Sequence, residues 1–125
     1  MKILAKLFIL CTMLQLPQIS IAHHSFSPFN IETETVISGE IIEFEWTNPH
    51  TWVWLSVTDT DGKVTKWGLE GMSPNYLGRR GWSRRTFEAG DKVEFVIYPL
   101  HSGEPGGMLV RATLEDGSIM AMFGD

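Results

Sequence analysis

The sequence predicts a mainly β protein, a small five- to six-stranded barrel of the oligonucleotide/oligosaccharide-binding (OB) type with one short helix between strands 3 and 4. Three observations support this fold. Apolar and polar residues alternate with the period of half-buried strands, turn signals separate these stretches, and the one helix signal follows the third of them. A small open sandwich of the same strands is the alternative.

The first 22 residues have the pattern of a secretory signal peptide. Lys2 and Lys6 precede an apolar run at 7–16, and a small-residue end follows at Ala22. The run is shorter than the about 20 apolar residues that cross a bilayer. We therefore expect a periplasmic protein without a membrane span in its mature form. Its predicted parts are a signal peptide at 1–22, an N-terminal arm at 23–35 and one OB-like barrel domain at 36–125.

The first strand is predicted from an alternation that starts near residue 36. Glutamates fall on one face of it and three apolar side chains on the other, namely Ile42, Phe44 and Trp46. The motif Thr47-Asn48-Pro49-His50 ends the strand, because proline supplies no ladder donor and asparagine favours turns.

The second and third strands are predicted as a hairpin. Residues 51–58 place Trp52 and Trp54 on one face, with valine and leucine on the other. A turn at 59–62, rich in aspartate and ending in glycine, leads into the third strand at 64–69.

A short helix and the last strands complete the barrel. Ser73 is a typical N-cap and Pro74 a typical first helical residue, so a helix through about Arg80 is expected, ended by Gly81. Further strands are predicted at 92–98, 108–114 and 118–123.

The charge balance argues against nucleic acid as the partner. Without Lys2 and Lys6, eight Lys+Arg face 15 Asp+Glu, which gives the mature chain a formal charge of −7. Nucleic-acid phosphates require a basic footprint instead. Cys11 lies within the predicted signal peptide, so the mature chain has no cysteine for disulfides.

Two adjacent histidines would start the mature chain if cleavage follows Ala22. The amine and ring of a terminal His23 can chelate one metal, and His24 and His50 can add imidazoles, a nitrogen set that favours Cu(II). The α-amino pKa of about 7.7 to 8.0 lets a metal displace the proton near neutral pH. The sequence therefore suggests copper, or another divalent metal, at these three histidines. A solvated terminus without a ligand role is the alternative.

Aromatic residues cluster around the turn between the first two strands. They can form a rim for a small ligand or partner, with Asn48 and His50 at its tip, and they are Trp46, Trp52 and Trp54. The alternative is that these side chains plug one end of the barrel.

Four arginines flank Trp82, namely Arg79, Arg80, Arg84 and Arg85. Guanidinium groups beside an indole can grip a carboxylate, a phosphate or the acidic patch of a partner. They can equally pair with carboxylates of the protein's own surface.

The sequence shows no catalytic arrangement: no cysteine nucleophile, no Gly-x-Ser-x-Gly elbow, no phosphate loop and no His-Glu-x-x-His helix.

Four motifs in order resemble a family of small exported bacterial proteins of uncharacterised function: Ala22-His23-His24-Ser25-Phe26, Glu45-Trp46-Thr47-Asn48-Pro49-His50, Gly71-Met72-Ser73-Pro74-Asn75 and Arg79-Arg80-Gly81-Trp82. The resemblance implies a periplasmic β-barrel and no established activity.

We therefore expect a periplasmic, non-enzymatic binding protein that holds a metal through its processed N-terminal histidines. The alternative is an accessory module that docks on an exported enzyme or cytochrome through its tryptophan and arginine surface.

Overall fold

Six strands and one short helix follow one another in the predicted order. The computed structural model describes residues 26–123. The elements are β1 (Thr35–Glu45), β2 (Trp52–Thr58), β3 (Val64–Glu70), α1 (Pro74–Gly78), β4 (Lys92–Pro99), β5 (Gly106–Thr113) and β6 (Ile119–Ala121). The predicted signal peptide, His23 and His24 lie outside the described residues.

Five of the strands close into a barrel. The sheet order is β3-β2-β1-β4-β5-β6, and β3 also pairs with β5 in parallel. Glycines allow this closure: a Cβ at Gly107 would lie 2.6 Å from the carbonyl oxygen of Tyr98, and one at Gly106 would lie 3.1 Å from that of Gly68. With α1 between β3 and β4, the predicted OB-like barrel is confirmed.

The core is built from the inward faces of the strands, as the alternation predicts. Val53 and Leu55 of β2 are buried, and so are Val93, Phe95 and Ile97 of β4. Edge-to-face ring contacts extend this core toward one end of the barrel, where Phe87 packs against Phe44, Trp82 and Phe95.

The strict alternation predicted for β1 is wrong at Ile42. The pairing of β1 with β2 shifts register between Ile41 and Glu43, which marks a β-bulge. Because the bulge inserts one residue, Ile41 points into the core, and Ile42 is 44% exposed instead of sharing the face of Phe44. Phe44 and Trp46 still pack against the core.

The helix begins as predicted and ends in a tight reversal. The Ser73 hydroxyl accepts the N–H of Tyr76, and Pro74 is the first helical residue. The regular turns stop at Gly78, after which the N–H of Gly81 donates to the Gly78 carbonyl and that of Trp82 to Leu77. This is the bond pattern of a Schellman motif, and Gly81 supplies the required positive φ of 85°.

That motif turns Trp82 inward, which corrects its predicted place on a partner surface. The side chain is 4% exposed and lies in the core with Leu77. Its indole N–H donates to the Ala121 carbonyl at 3.0 Å.

The arm lies along the end of β4 and the loop after it. Phe29 forms a β-bridge with Leu100, and the N–H of His101 donates to the Pro28 carbonyl at 3.0 Å. The first barrel strand begins at Thr35. Among residues 26–123, no helix has the length and apolar character needed to cross a membrane.

Candidate functional site

Two tryptophans stack on the outer face of β2. Val53 and Leu55 point into the barrel, so Trp52 and Trp54 point away from it. Their ring centroids are 5.5 Å apart and their planes differ by 12°. Both side chains are half-buried, which leaves part of each indole open to solvent. Beside this pair lie outward residues of the two neighbouring strands, Glu43 and Glu45 of β1 and Lys66, Gly68 and Glu70 of β3. We call the pair and these five residues the Trp face.

Trp54 is held in place from three sides. Its indole N–H donates to Oε1 of Glu45 at 2.7 Å, and Nζ of Lys66 lies 4.4 Å from its ring centroid. Its six-membered ring covers Gly68, where a Cβ would approach within 2.5 Å of the ring. Glycine on β3 therefore creates the space that the indole fills.

Trp52 lies between two carboxylates. It stands directly opposite Glu45 of β1 and Glu70 of β3 in the strand register. Directly opposite side chains of an antiparallel pair are close neighbours on one face. The carboxylate of Glu70 also contacts Nδ1 of His50, which comes from the loop that precedes β2.

The Trp face is acidic apart from one lysine. Glu43, opposite Trp54, adds a third carboxylate to Glu45 and Glu70, and Lys66 is the cation that the described contacts place there. The face thus combines indole rings, which attract cations, with carboxylates, which repel phosphate. This arrangement can bind a positively charged group.

Of the three predicted metal ligands, His50 lies within the described residues, whereas His23 and His24 do not. His50 contacts Glu70. No group of three or more His, Cys, Asp or Glu side chains in residues 26–123 is arranged to hold a metal ion. A copper site with His50 would therefore need His23 and His24, and it stays a prediction.

The predicted aromatic rim divides into two parts. Trp52 and Trp54 form the half-buried stack on the outer face, whereas Trp46 packs edge-on against Phe44 at 5.6 Å and belongs to the margin of the core. Asn48 is exposed in the connecting loop and precedes a cis peptide bond to Pro49.

The predicted grouping of arginines with Trp82 does not form, because the indole is buried. All four arginines are exposed, in the connection from α1 to β4. The ion pairs recorded within residues 26–123 are His50–Glu70 and Arg111–Glu34, so the predicted pairing of these arginines with surface carboxylates is not observed there.

A separate groove with a volume of about 530 Å³ lies on β1, β2 and β4. Its polar lining comes from β1, β2 and β4 and consists of Ser38, Glu40, Ser56, Thr58, Lys92 and Glu94. Most of these side chains are exposed, and no aromatic ring lines the groove. It lacks the fixed and partly desolvated groups that make the Trp face the stronger candidate.

Sequence reasoning missed the contributions of β3. Lys66, Gly68 and Glu70 alternate with Thr65, Trp67 and Leu69, which already assigns the first three to the outer face. A glycine inside a strand often marks the close approach of another group. Together with the pair of outward tryptophans on β2, that signal could have located the site.

The comparisons with known proteins identify a family but no function. None of the curated proteins matches the chain. The model of a family of unknown function, DUF6152, matches residues 12–111, which is most of the sequence. The chain therefore belongs to the DUF6152 family.

Proposed function

We propose that this protein is a non-enzymatic binding module of the periplasm that holds a cationic segment of an exported partner protein on its Trp face. The observation that carries the proposal is the position of Trp52, stacked on Trp54 and flanked by Glu45 and Glu70 on the neighbouring strands. An arginine or lysine side chain that reaches this place meets an indole ring and two carboxylates together.

The chemistry of the face favours cations. Indole rings attract ammonium and guanidinium groups, by about 0.5 to 2 kcal/mol depending on how far the pair is desolvated. Lys66 already makes this contact with Trp54 within the chain. Arginine adds planar stacking and bidentate hydrogen bonds to carboxylates, so an arginine-rich segment is the best match.

The face is also preorganised. The bond from Trp54 to Glu45 and the close contact with Gly68 fix one indole, and the stack orients the other. Fixed aromatic anchors lose little conformational entropy on binding, which is why they dominate protein interfaces.

The position of the face agrees with general use of the fold. OB-type barrels commonly bind ligands on the outer face of strands 2 and 3, beside the loop between strands 1 and 2. This agreement is an analogy between folds, and the ligand class rests on the residues themselves. The formal charge of −5 for the whole chain supports a cationic partner.

The test is a titration in which the protein is added to a fluorescently labelled arginine-rich peptide and binding is measured as the change in fluorescence anisotropy. We expect binding that Trp52→Ala weakens about tenfold or more, the usual loss at an interface anchor. Val64→Ala, a change at a 61% exposed apolar residue of the same hairpin, should leave binding unchanged.

A second variant separates charge from folding. Glu70→Gln keeps the size and the hydrogen-bonding oxygen of the side chain but removes its negative charge. This variant should bind the peptide more weakly, and its binding should depend less on salt concentration. If Trp52→Ala and Glu70→Gln both bind the peptide as the original protein does, the Trp face is not the site.

A further inference from the structure

We infer that a second copy of this chain supplies a cationic segment for the Trp face, through the loop that carries Arg79, Arg80, Arg84 and Arg85. The inference rests on the proposed function, since it names a partner for the same site. We call residues 79–85 the Arg loop.

The Arg loop concentrates the positive charge of an acidic protein. Residues 26–125 contain eight lysines and arginines, and four of them lie within these seven positions. All four are exposed, and neither ion pair recorded within residues 26–123 involves them. Their charge is therefore available to an external carboxylate.

The backbone of the Arg loop is fixed by bonds to the barrel and within itself. Trp82 anchors its centre in the core and donates to the Ala121 carbonyl. Beyond it, the N–H of Ser83 donates to the Thr86 hydroxyl at 2.8 Å, and that of Arg85 to the Ser83 hydroxyl at 3.2 Å. The arginines thus project from a defined scaffold, which lowers the entropy lost on docking.

The same loop shows the contact that docking requires. The guanidinium carbon of Arg80 lies 3.9 Å from the ring centroid of Tyr76. The guanidinium group of Arg80 therefore already stacks on an aromatic ring, and Arg84 and Arg85 can do the same with Trp52 of another copy.

The two surfaces are complementary in charge as well as in chemistry. The Trp face presents Glu43, Glu45 and Glu70 against one lysine, whereas the Arg loop presents four guanidinium groups. Because the surfaces differ, the contact is heterologous: each copy gives one surface and receives the other, so copies associate head to tail.

The experiment is sedimentation equilibrium of the protein over about a hundredfold range of concentration, at low and high salt. The original chain should associate reversibly at low salt, and high salt should weaken the association. Arg84→Gln with Arg85→Gln should shift the association constant down about tenfold or more. The matched control, Lys63→Gln with Lys92→Gln, removes two exposed lysines elsewhere and should leave association near that of the original chain.

Mixing two defective variants gives the decisive result. Trp52→Ala keeps the Arg loop, and the double arginine variant keeps the Trp face. Each variant alone should associate at least about tenfold more weakly than the original chain, while the mixture should form a one-to-one pair, because one intact surface of each kind is present. An original chain that stays monomeric throughout, or a mixture that does not associate, overturns the inference.

The outcome is separable from that of the proposed function. A monomeric chain that still binds the arginine-rich peptide through Trp52 would contradict self-association and support the binding module. A chain that binds neither the peptide nor itself would contradict both.

Discussion

The indole N–H of Trp54 donates to the Glu45 carboxylate at 2.7 Å, and this bond joins the end of β1 to the middle of β2 across the loop between them. The Glu45 carboxylate therefore orients the ring of Trp54 and also stands opposite Trp52 in the strand register. The stability of the fold and the proposed binding should therefore both depend on this residue.

Glu45→Ala should lower both stability and binding. Loss of the hydrogen bond to the half-buried indole should reduce the free energy of unfolding by about 1 kcal/mol, as measured by urea denaturation. Binding of the arginine-rich peptide should weaken in parallel. Glu43→Ala removes an exposed carboxylate from the same strand and should change stability by less than about 0.5 kcal/mol. Equal losses of unfolding free energy in Glu45→Ala and Glu43→Ala would contradict a stabilising role of the hydrogen bond between Trp54 and Glu45.

Gly68→Ala should displace Trp54. The new methyl group would lie 2.5 Å from the ring, and the indole can move more easily than the β3 backbone. We expect a loss of about 1 kcal/mol of unfolding free energy and a weaker exciton signal of the tryptophan pair in ultraviolet circular dichroism. Gly78→Ala, where a Cβ meets nothing within 4 Å, is the control. An unchanged exciton signal in Gly68→Ala would contradict the described packing.

Much of the fold could be predicted from local patterns. The alternation identifies the inward residues Val53, Leu55 and Phe95, because the period of two holds through these parts of β2 and β4. It ends in β4 after Phe95, where Val96 is also buried and the pairing with β5 shifts register between Val96 and Ile97. The Ser73-Pro74 pair and Gly81 predict the ends of α1 for reasons of capping alone.

The rest depends on contacts between distant segments. The bulge at Ile41–Glu43 could not be predicted from the alternation, because apolar residues occur both before and after it in the strand. The burial of Trp82 depends on Ala121, which lies 39 residues further along the chain. The register shift between β1 and β2 also decides that Glu43 and Glu45 stand opposite Trp54 and Trp52.

Trp82 and Trp52 should respond differently to the same substitution. Trp82→Phe removes the donor to the Ala121 carbonyl and leaves a void in the core, so it should cost about 1 to 3 kcal/mol in urea denaturation. Trp52→Phe changes a half-exposed ring and should cost less than about 1 kcal/mol. A larger loss for Trp52→Phe would contradict the assignment of one ring to the core and the other to the surface.

The copper hypothesis predicts that binding depends on the first residue of the processed chain. Protein that starts at His23 should bind one Cu(II) ion per chain, because its free amine and imidazole form a chelate. Protein with one additional residue before His23 should bind the ion much more weakly. Calorimetric titration of the two forms, after mass spectrometry of each terminus, measures the difference, and equal affinities would rule out the terminal chelate.

The most direct measurement of the central claim is the response of the indole N–H signals in nitrogen-15 NMR spectra to an arginine-rich peptide. The signals of Trp52 and Trp54 should shift on titration, because their rings form the Trp face. The signal of Trp82 should stay in place, because its N–H is bonded within the core. A titration that moves Trp82 or leaves Trp52 and Trp54 unchanged at peptide saturation would contradict the account.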